Sequence, residues 1–271
     1  MTLQKDVYYI SGTTGILAKE MGKALLRQFP DIEFSEELIP FIRTKDDAQK
    51  ACDRILEKSR HKSPIIISTL FSEELNKIFD IDGIEYFDIC NHFLVRLEQI
   101  AETKALRKPG GARIHDDMTM SRRVNAIQYS IGHDDGTDPK GYDEADIILV
   151  GVSRSGKTPV SIFLATQMGM KAANYPLVDQ DLKYCQLPEE ILSNKEKVVG
   201  LSTTPKLLHS FRQKRFKDST YASFSTCENE LTASQCIFNT HSIPVVTSAG
   251  NSIEEMATQA AQIVQPQQPV L

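Results

Sequence analysis

The sequence predicts an α/β protein with mostly parallel sheets and flanking helices. Short apolar runs alternate along the chain with longer segments whose apolar residues recur at helical spacing. Strands that alternate with helices indicate parallel pairing, because each helix returns the chain to the sheet end where the next strand begins. One glycine-rich loop joins such a run to such a helix, as loops do at the carboxyl ends of parallel strands.

The N-terminal part of the chain carries four candidate strands. They are expected at residues 7–10, 39–42, 65–67 and 85–89. Pro40 interrupts the second and places it at a sheet edge, because proline has no N–H to donate to a ladder. Two helices are predicted between these strands, with apolar positions at Leu17, Met21, Ala24 and Leu25, and at Ala48, Cys52, Ile55 and Leu56.

A segment of turn-forming residues separates this part from the rest. Residues 107–113 follow neither periodicity and are rich in proline and glycine. We therefore expect a smaller, Rossmann-like N-terminal α/β domain over 1–108 and a second domain over 109–271. The second domain is predicted to begin with a helix that Ser121 caps and Gly132 closes.

A complete phosphate-binding loop lies in the second domain. Its residues are Gly151, Val152, Ser153, Arg154, Ser155, Gly156, Lys157 and Thr158. A buried strand is predicted before it at 145–150, and apolar side chains at helical spacing follow it. Strand, glycine loop and helix N-terminus together build an anion cradle from backbone amides and the helix dipole. The motif therefore predicts a nucleotide site in a P-loop kinase-like C-terminal portion.

Three residues of the loop have expected roles. Lys157 would reach the outer phosphates, and the Thr158 hydroxyl would hold Mg²⁺. The guanidinium of Arg154 would either contact a terminal phosphate or point to solvent.

Two adjacent carboxylates are candidates for the transfer step. Asp134 and Asp135 follow His133, and phosphoryl transfer needs a group that orients the attacking hydroxyl or accepts its proton. The alternative is an Asp-rich turn without a catalytic role. A metal-orienting acid is also expected, at Asp179 or Asp181.

Positive charge gathers on one predicted helix of the second domain. The residues concerned are Lys206, Arg212, Lys214, Arg215 and Lys217. They would either close over phosphates as a lid or complement the negative end of the helix dipole. The N-terminal loop 11–15 also opens a helix, so it could seat an anion or serve only as a turn.

Two further strand–helix units complete the prediction. Strands are expected at 198–201 and 243–247. The helix after the first begins with Thr204 as cap and Pro205 in the first turn. The helix after the second begins with the capping box of Ser252 and Glu255.

Composition limits the classes of function. The net charge of −5 argues against a general nucleic-acid or membrane-surface binder, and no apolar run approaches the ~20 residues that span a bilayer. The chain opens without a signal-peptide pattern, so we expect a cytoplasmic protein. Its five cysteines form no Cys-x-x-Cys pair and predict free buried thiols.

With these residues in hand, the chain resembles the bacterial family of phosphoenolpyruvate synthase regulatory proteins, close kin of the pyruvate, phosphate dikinase regulatory proteins. The resemblance runs nearly end to end, through residues 7–29, 133–136, 148–159, 172–177, 200–201 and 212–215. It departs at Gly12, where an acidic residue is expected after Ser11, and this weakens any catalytic role for that loop. Ser155 is a small variation that leaves the cradle intact.

The resemblance implies a bifunctional enzyme with ADP, Mg²⁺ and inorganic phosphate as its small-molecule requirements. Such an enzyme transfers a phosphoryl group from ADP to a threonine of phosphoenolpyruvate synthase and switches the synthase off. It reverses this when phosphate attacks the phosphothreonine and pyrophosphate leaves. Lys157, Asp134, Asp135 and Arg154 would then be the catalytic residues. Arg154, Arg212, Arg215 or the loop 11–15 would receive the phosphate.

Other functions remain open from the sequence. The same chemistry could act on pyruvate, phosphate dikinase, and the loop would equally suit a small-molecule kinase or a nucleotide-gated binding protein. The oligomeric state is also open, with a homodimer as one arrangement.

Overall fold

The computed structural model describes residues 3–60, 62–108, 117–136, 139–217 and 219–264. These residues form two four-stranded sheets in which all neighbouring strands are parallel, so the predicted fold class is confirmed. Contacts divide the chain into two compact units, Met1–Ile114 and His115–Leu271. The boundary predicted between residues 108 and 109 borders the segment 109–116, which lies outside the described residues, so that boundary stays a prediction.

The N-terminal unit has a Rossmann-like sheet with the strand order β2-β1-β3-β4. Its strands are β1 (Leu3–Ile10), β2 (Ile32–Ile39), β3 (Ile65–Ser68) and β4 (Glu85–Asp88). Its helices are α1 (Ile16–Leu26), α2 (Lys45–Lys58), α3 (Glu73–Phe79) and α4 (Ile89–Ala101).

The prediction of the second strand was wrong in position. The strand β2 ends at Ile39, where the predicted segment 39–42 begins, because Pro40 cannot continue the ladder. Charged residues hid the true strand, since β2 lies at the sheet edge and three of its residues are glutamates. Its predicted edge position is confirmed.

The helix α1 packs through small residues and through Leu26 at its end, and not through Leu17 or Leu25. Leu17 and Leu25 were expected on the buried face, yet they are 56% and 57% exposed. Ala18 and Gly22 face the sheet instead. A Cβ built on Gly22 would lie 2.2 Å from the Tyr9 ring, so this close approach requires glycine.

The C-terminal unit has the strand order β6-β5-β7-β8. Its strands are β5 (Ile147–Gly151), β6 (Ala172–Pro176), β7 (Val198–Ser202) and β8 (Val245–Thr247). Its α-helices are α5 (Asp117–Gly132), α6 (Lys157–Phe163), α7 (Asp179–Tyr184), α8 (Glu189–Leu192), α9 (Pro205–Arg215), α10 (Phe224–Thr240) and α11 (Ile253–Val264). Every residue of β5 is buried, with one hydrophobic cluster on each face of the sheet.

Several helix starts test the capping predictions. The Thr204 hydroxyl accepts a hydrogen bond from the Leu207 amide, and Ser252 and Glu255 form the predicted reciprocal capping box. Ser121, by contrast, lies inside α5, which already begins at Asp117, so its prediction as a cap was wrong.

The expectation of free thiols was wrong for two cysteines. Cys185, directly after α7, forms a disulfide with Cys236 in α10. The two residues are 51 apart in sequence but their Cα atoms are 6.1 Å apart, a proximity that only the tertiary fold creates. Cys52, Cys90 and Cys227 are free. Among the helices described, none is long and apolar enough to cross a membrane.

Candidate active site

The phosphate loop joins the end of β5 to the start of α6, as predicted. Gly151 is the last residue of the strand and Lys157 the first of the helix. A Cβ built on Gly151 would lie 2.5 Å from the carbonyl oxygen of Leu201 and 2.7 Å from the Ser155 Oγ. Gly151 is therefore required where the loop passes β7.

Two loop residues adopt left-handed backbone conformations. Gly156 has φ 104° and Arg154 has φ 73°. The buried hydroxyl of Ser155 has no hydrogen-bond partner among the described residues. A buried polar group without a partner is costly, and an anion in the cradle would satisfy this one.

Lys157 is folded back onto its own loop. Its side chain is 5% exposed, and its Nζ donates to the carbonyl oxygens of Gly151 and Val152 at 3.0 and 3.1 Å. Burial lowers the pKa of Lys157 to about 8, against the opposing effect of Asp135 and Asp134. The ammonium group is thus held against the loop by these two carbonyl oxygens.

The structure brings Asp134 directly to Thr158. The Thr158 Oγ1 donates to the two carboxylate oxygens of Asp134 at 3.0 and 3.1 Å. The amide Nδ2 of Asn174 in β6 also donates to Asp134, and to the Ser161 Oγ at 3.2 Å. Sequence reasoning missed Asn174 as a site residue, although it lies in the segment 172–177 that carries part of the resemblance.

Backbone hydrogen bonds fasten the acidic segment to the edge of the sheet. The Asn174 amide donates to the carbonyl oxygen of His133, and the Gly136 amide donates to that of Asn174, each at 2.9 Å. Asp135, with φ 52°, lies between them and lines the same pocket as the phosphate loop. Both predicted carboxylates therefore belong to the site, while their chemical roles stay predictions.

Arg212 supports the loop and does not line the pocket. It is fully buried, forms an ion pair with Glu230 at 2.5 Å, and donates to the Ser153 carbonyl oxygen at 3.1 and 3.4 Å. Its guanidinium carbon lies 4.1 Å from the ring centroid of Tyr221, whose hydroxyl is 2.8 Å from the Ser153 Oγ. All these groups occupy the guanidinium, so the expectation that Arg212 receives an anion is wrong. Sequence reasoning missed Glu230 and Tyr221.

The pocket around the loop has a volume of about 930 Å³. Four predicted cations line it, namely Arg154, Lys157, Lys214 and Arg215. Lys206 and Lys217 lie outside its lining, so only part of the basic cluster faces the site.

The two acids expected to orient a metal are placed differently. The Asp181 carboxylate accepts from the Val178 amide at 3.0 Å and from the Tyr175 hydroxyl at 2.9 Å. It thereby holds the start of α7. Neither Asp179 nor Asp181 lines the pocket, whereas Asp134 contacts Thr158.

The loop 11–15 belongs to the N-terminal unit. The Ser11 Oγ accepts from the Thr13 amide at 3.2 Å, and Gly15 has φ 74° at the start of α1. These contacts build a turn, and Gly12 and Thr13 line a pocket together with Arg43 and Lys45, so both predicted alternatives stay open.

Known proteins resemble this chain over most of its length. Residues 7–260 match the model of a family described as kinase/pyrophosphorylase. A protein of Desulfotalea psychrophila named "Putative phosphoenolpyruvate synthase regulatory protein" is 56% identical over 258 residues, which cover 95% of each chain. Proteins with the same name from Laribacter hongkongensis and Neisseria meningitidis are each 37% identical, over 95% and 97% of this chain and 96% and 97% of theirs. The chain belongs to the kinase/pyrophosphorylase family.

Proposed function

We propose that this chain is a bifunctional regulator of phosphoenolpyruvate synthase. It inactivates the synthase by ADP-dependent phosphorylation of a threonine, and reactivates it by phosphate-dependent dephosphorylation that releases pyrophosphate. Family membership and the names of the relatives support the reaction class and the partner. The observation that carries the proposal is the meeting of the phosphate loop with two adjacent carboxylates, since Asp134 contacts Thr158 and Asp135 lines the same pocket as the loop.

The loop and its cations would hold the phosphates of ADP. The first backbone N–H groups of a helix have no partner within it, so the amides at the start of α6 and the helix dipole give the cradle a positive potential. Lys157 would exchange its two carbonyl acceptors for phosphate oxygens, and the unpartnered Ser155 hydroxyl would gain an acceptor. Arg154, Lys214 and Arg215 add charge at the outer face.

The donor set at Thr158 fits Mg²⁺. A hydroxyl and a carboxylate meet there, and Mg²⁺ in nucleotide sites takes such hard oxygen donors together with phosphates and water. Phosphate oxygens and water would complete the coordination. Mg²⁺, when bound, would offset the negative charge that develops on the phosphates.

Asp135 is the carboxylate that would accept the proton of the acceptor hydroxyl, because Asp134 already contacts Thr158 and Asn174. In the forward direction a threonine oxygen forms a bond to the β-phosphorus of ADP and its proton passes to Asp135. The bond from that phosphorus to the bridging oxygen breaks, and AMP leaves. This gives general base catalysis by a positioned carboxylate.

In the reverse direction a phosphate oxygen attacks the phosphorus of the phosphothreonine. The new bond makes pyrophosphate, and the bond to the threonine oxygen breaks. The proton of the attacking phosphate reaches the threonine oxygen through Asp135. Arg154 and Arg215 are the pocket cations that would receive the phosphate, since Arg212 is already occupied.

The decisive experiment supplies the target protein and a nucleotide together. Purified protein is mixed with phosphoenolpyruvate synthase and either ADP or ATP, phosphothreonine is mapped by mass spectrometry, and synthase activity is followed. We expect ADP-dependent modification with loss of activity, which added phosphate reverses with release of pyrophosphate. A cytoplasmic location, where the synthase would be met, is part of this proposal.

Two variants sharpen the result. Asp135→Asn should retain ADP binding and lose both reactions by about 10²-fold or more. Lys157→Ala tests whether the two directions share a site, since equal loss of both activities argues for one. Absence of phosphothreonine with either nucleotide would contradict the proposed target, and modification of pyruvate, phosphate dikinase instead would establish the alternative one.

A further inference from the structure

Part of the lining of the phosphate-loop pocket is apolar. Helices α9 and α11 line it with Leu207, Phe211, Ile253 and Met256. Phe211 and Ile253 are 45% and 42% exposed, although they border the functional pocket. Water covers these large apolar surfaces in the free protein, so a ligand that displaces it would gain the free energy of their burial.

The fold fixes both helices in this orientation. Leu207, Phe211 and Arg215 are spaced by four residues and therefore share one face of α9. The contact of Arg212 with the Ser153 carbonyl oxygen sets the rotation of that helix against the loop. On α11, Met256 packs beside the loop, since a Cβ built on Gly156 would lie 3.6 Å from its Cε.

The pocket lining combines charged and uncharged side chains. Arg154, Lys157, Lys214 and Arg215 provide the positive charge, whereas the residues contributed by α11 and the loop before it are Ser248, Asn251, Ile253 and Met256. A phosphate chain alone would leave the apolar side chains of the lining uncovered. A ligand that carries both phosphates and a flat apolar group would contact both kinds of side chain.

We propose that Phe211 and Ile253 hold the base of the nucleotide whose phosphates occupy the loop. This inference rests on the proposed function and adds the base-binding residues to it. The base is held mainly through its faces, because the Ser248 hydroxyl and one N–H of the Asn251 side-chain amide are engaged elsewhere. The Ser248 Oγ donates to the Thr203 Oγ1 at 2.8 Å, and the Asn251 Nδ2 donates to the Thr247 carbonyl oxygen at 2.9 Å.

The test compares ADP with pyrophosphate, which has the phosphates but no base. Calorimetry in Mg²⁺ buffer gives the Kd of both for wild type, Phe211→Ala, Ile253→Ala and Phe211→Tyr. We expect each alanine variant to weaken ADP about tenfold, corresponding to ~1.4 kcal/mol, and to leave the Kd of pyrophosphate unchanged. Phe211→Tyr keeps the ring and should bind ADP like wild type.

Ile263→Ala is the matched control. Ile263 lies in the same helix as Ile253 and is 38% exposed, but it does not line the pocket. Its variant should bind both ligands normally, and circular dichroism should show all the variants folded.

Three results would overturn the inference. They are an unchanged ADP affinity in both alanine variants, a parallel weakening of ADP and pyrophosphate, and a wild-type protein that binds ADP no more tightly than pyrophosphate. The proposed function fails separately. Base-dependent ADP binding without threonine phosphorylation would contradict the function and leave the base site intact.

Discussion

At the scale of single residues, Lys157 has the most unusual environment in the site. Its ammonium is buried against the carbonyl oxygens of Gly151 and Val152, and burial lowers its pKa to about 8. A bound polyphosphate would place negative charge beside it and raise that pKa again. Binding and protonation are therefore linked.

We expect ADP affinity to fall as the pH rises through about 8, the pKa of Lys157 in the free protein. Below that pH the lysine is charged before ADP arrives. Above it the complex must take up a proton, so affinity falls by up to about tenfold per pH unit. Calorimetry from pH 6.5 to about 9.5 in buffers of different ionisation enthalpy measures both affinity and proton uptake. Lys157→Met should show neither the fall nor the uptake, and a wild-type affinity independent of pH would contradict the linkage.

Gly151 offers a second test at this scale. A methyl group there would meet the backbone oxygen of Leu201 at 2.5 Å, so Gly151→Ala must displace the loop or β7. We expect pyrophosphate binding to weaken at least tenfold and the free energy of unfolding to drop by about 1–3 kcal/mol. Gly132→Ala is the control, because nothing lies within 4 Å of its added Cβ. Equal behaviour of the two variants would refute the steric argument.

At the scale of elements, the ion pair between α9 and α10 fastens the phosphate loop. Glu230 lies in α10 and pairs with the fully buried Arg212 of α9, which in turn holds the Ser153 carbonyl oxygen. Removing one member of a buried pair costs more than the pair contributes, because the remaining charge has no partner.

Glu230→Gln should therefore lower the free energy of unfolding by about 3 kcal/mol, as measured by urea denaturation. Glu228→Gln in the same helix is the control, since Glu228 is exposed. We also expect the Glu230 variant to bind pyrophosphate more weakly, because α9 would no longer fix the loop. Loss of stability without any change in pyrophosphate binding would show that the ion pair stabilises the fold but does not position the phosphate loop.

Local signals made some elements predictable and left others hidden. The capping box at Ser252 and the threonine cap at Thr204 were predicted because their partners lie within a few residues. The strand β2 was missed because its glutamates mask the apolar alternation of an edge strand. The helix α10 was missed because polar residues are spread around much of its surface.

Part of the candidate site was likewise predictable from local sequence signals, and the rest was not. The phosphate loop is contiguous, so its residues were predicted from a motif. The contact of Asp134 with Thr158 joins residues 24 apart, and only the attachment of the acidic segment to β6 brings them together. The hydrogen bond from Arg212 to the Ser153 carbonyl oxygen joins residues 59 apart, and no sequence pattern predicts it.

At the scale of the whole molecule, each compact unit has hydrophobic clusters of its own. In the C-terminal unit a disulfide adds a covalent link between residues 51 apart. Closing a loop of that length lowers the entropy of the unfolded chain and stabilises the folded one by up to about 4 kcal/mol.

Reduction should therefore destabilise the protein by about 2–4 kcal/mol, seen as a lower urea midpoint in dithiothreitol. The double variant Cys185→Ser, Cys236→Ser should match the reduced wild type and not respond to dithiothreitol. A wild-type midpoint that is the same with and without reductant would argue that the bond contributes nothing.

The position of that disulfide has a consequence for how the active site assembles. The segment between Cys185 and Cys236 contains β7, α9 and both members of the pair Arg212 and Glu230. In an oxidised, unfolded chain these groups remain tethered within one covalent ring. The ring limits how far apart they can lie in the unfolded chain, so bringing them together on folding costs less conformational entropy. The disulfide thereby favours the contact between α9 and α10 that supports the phosphate loop.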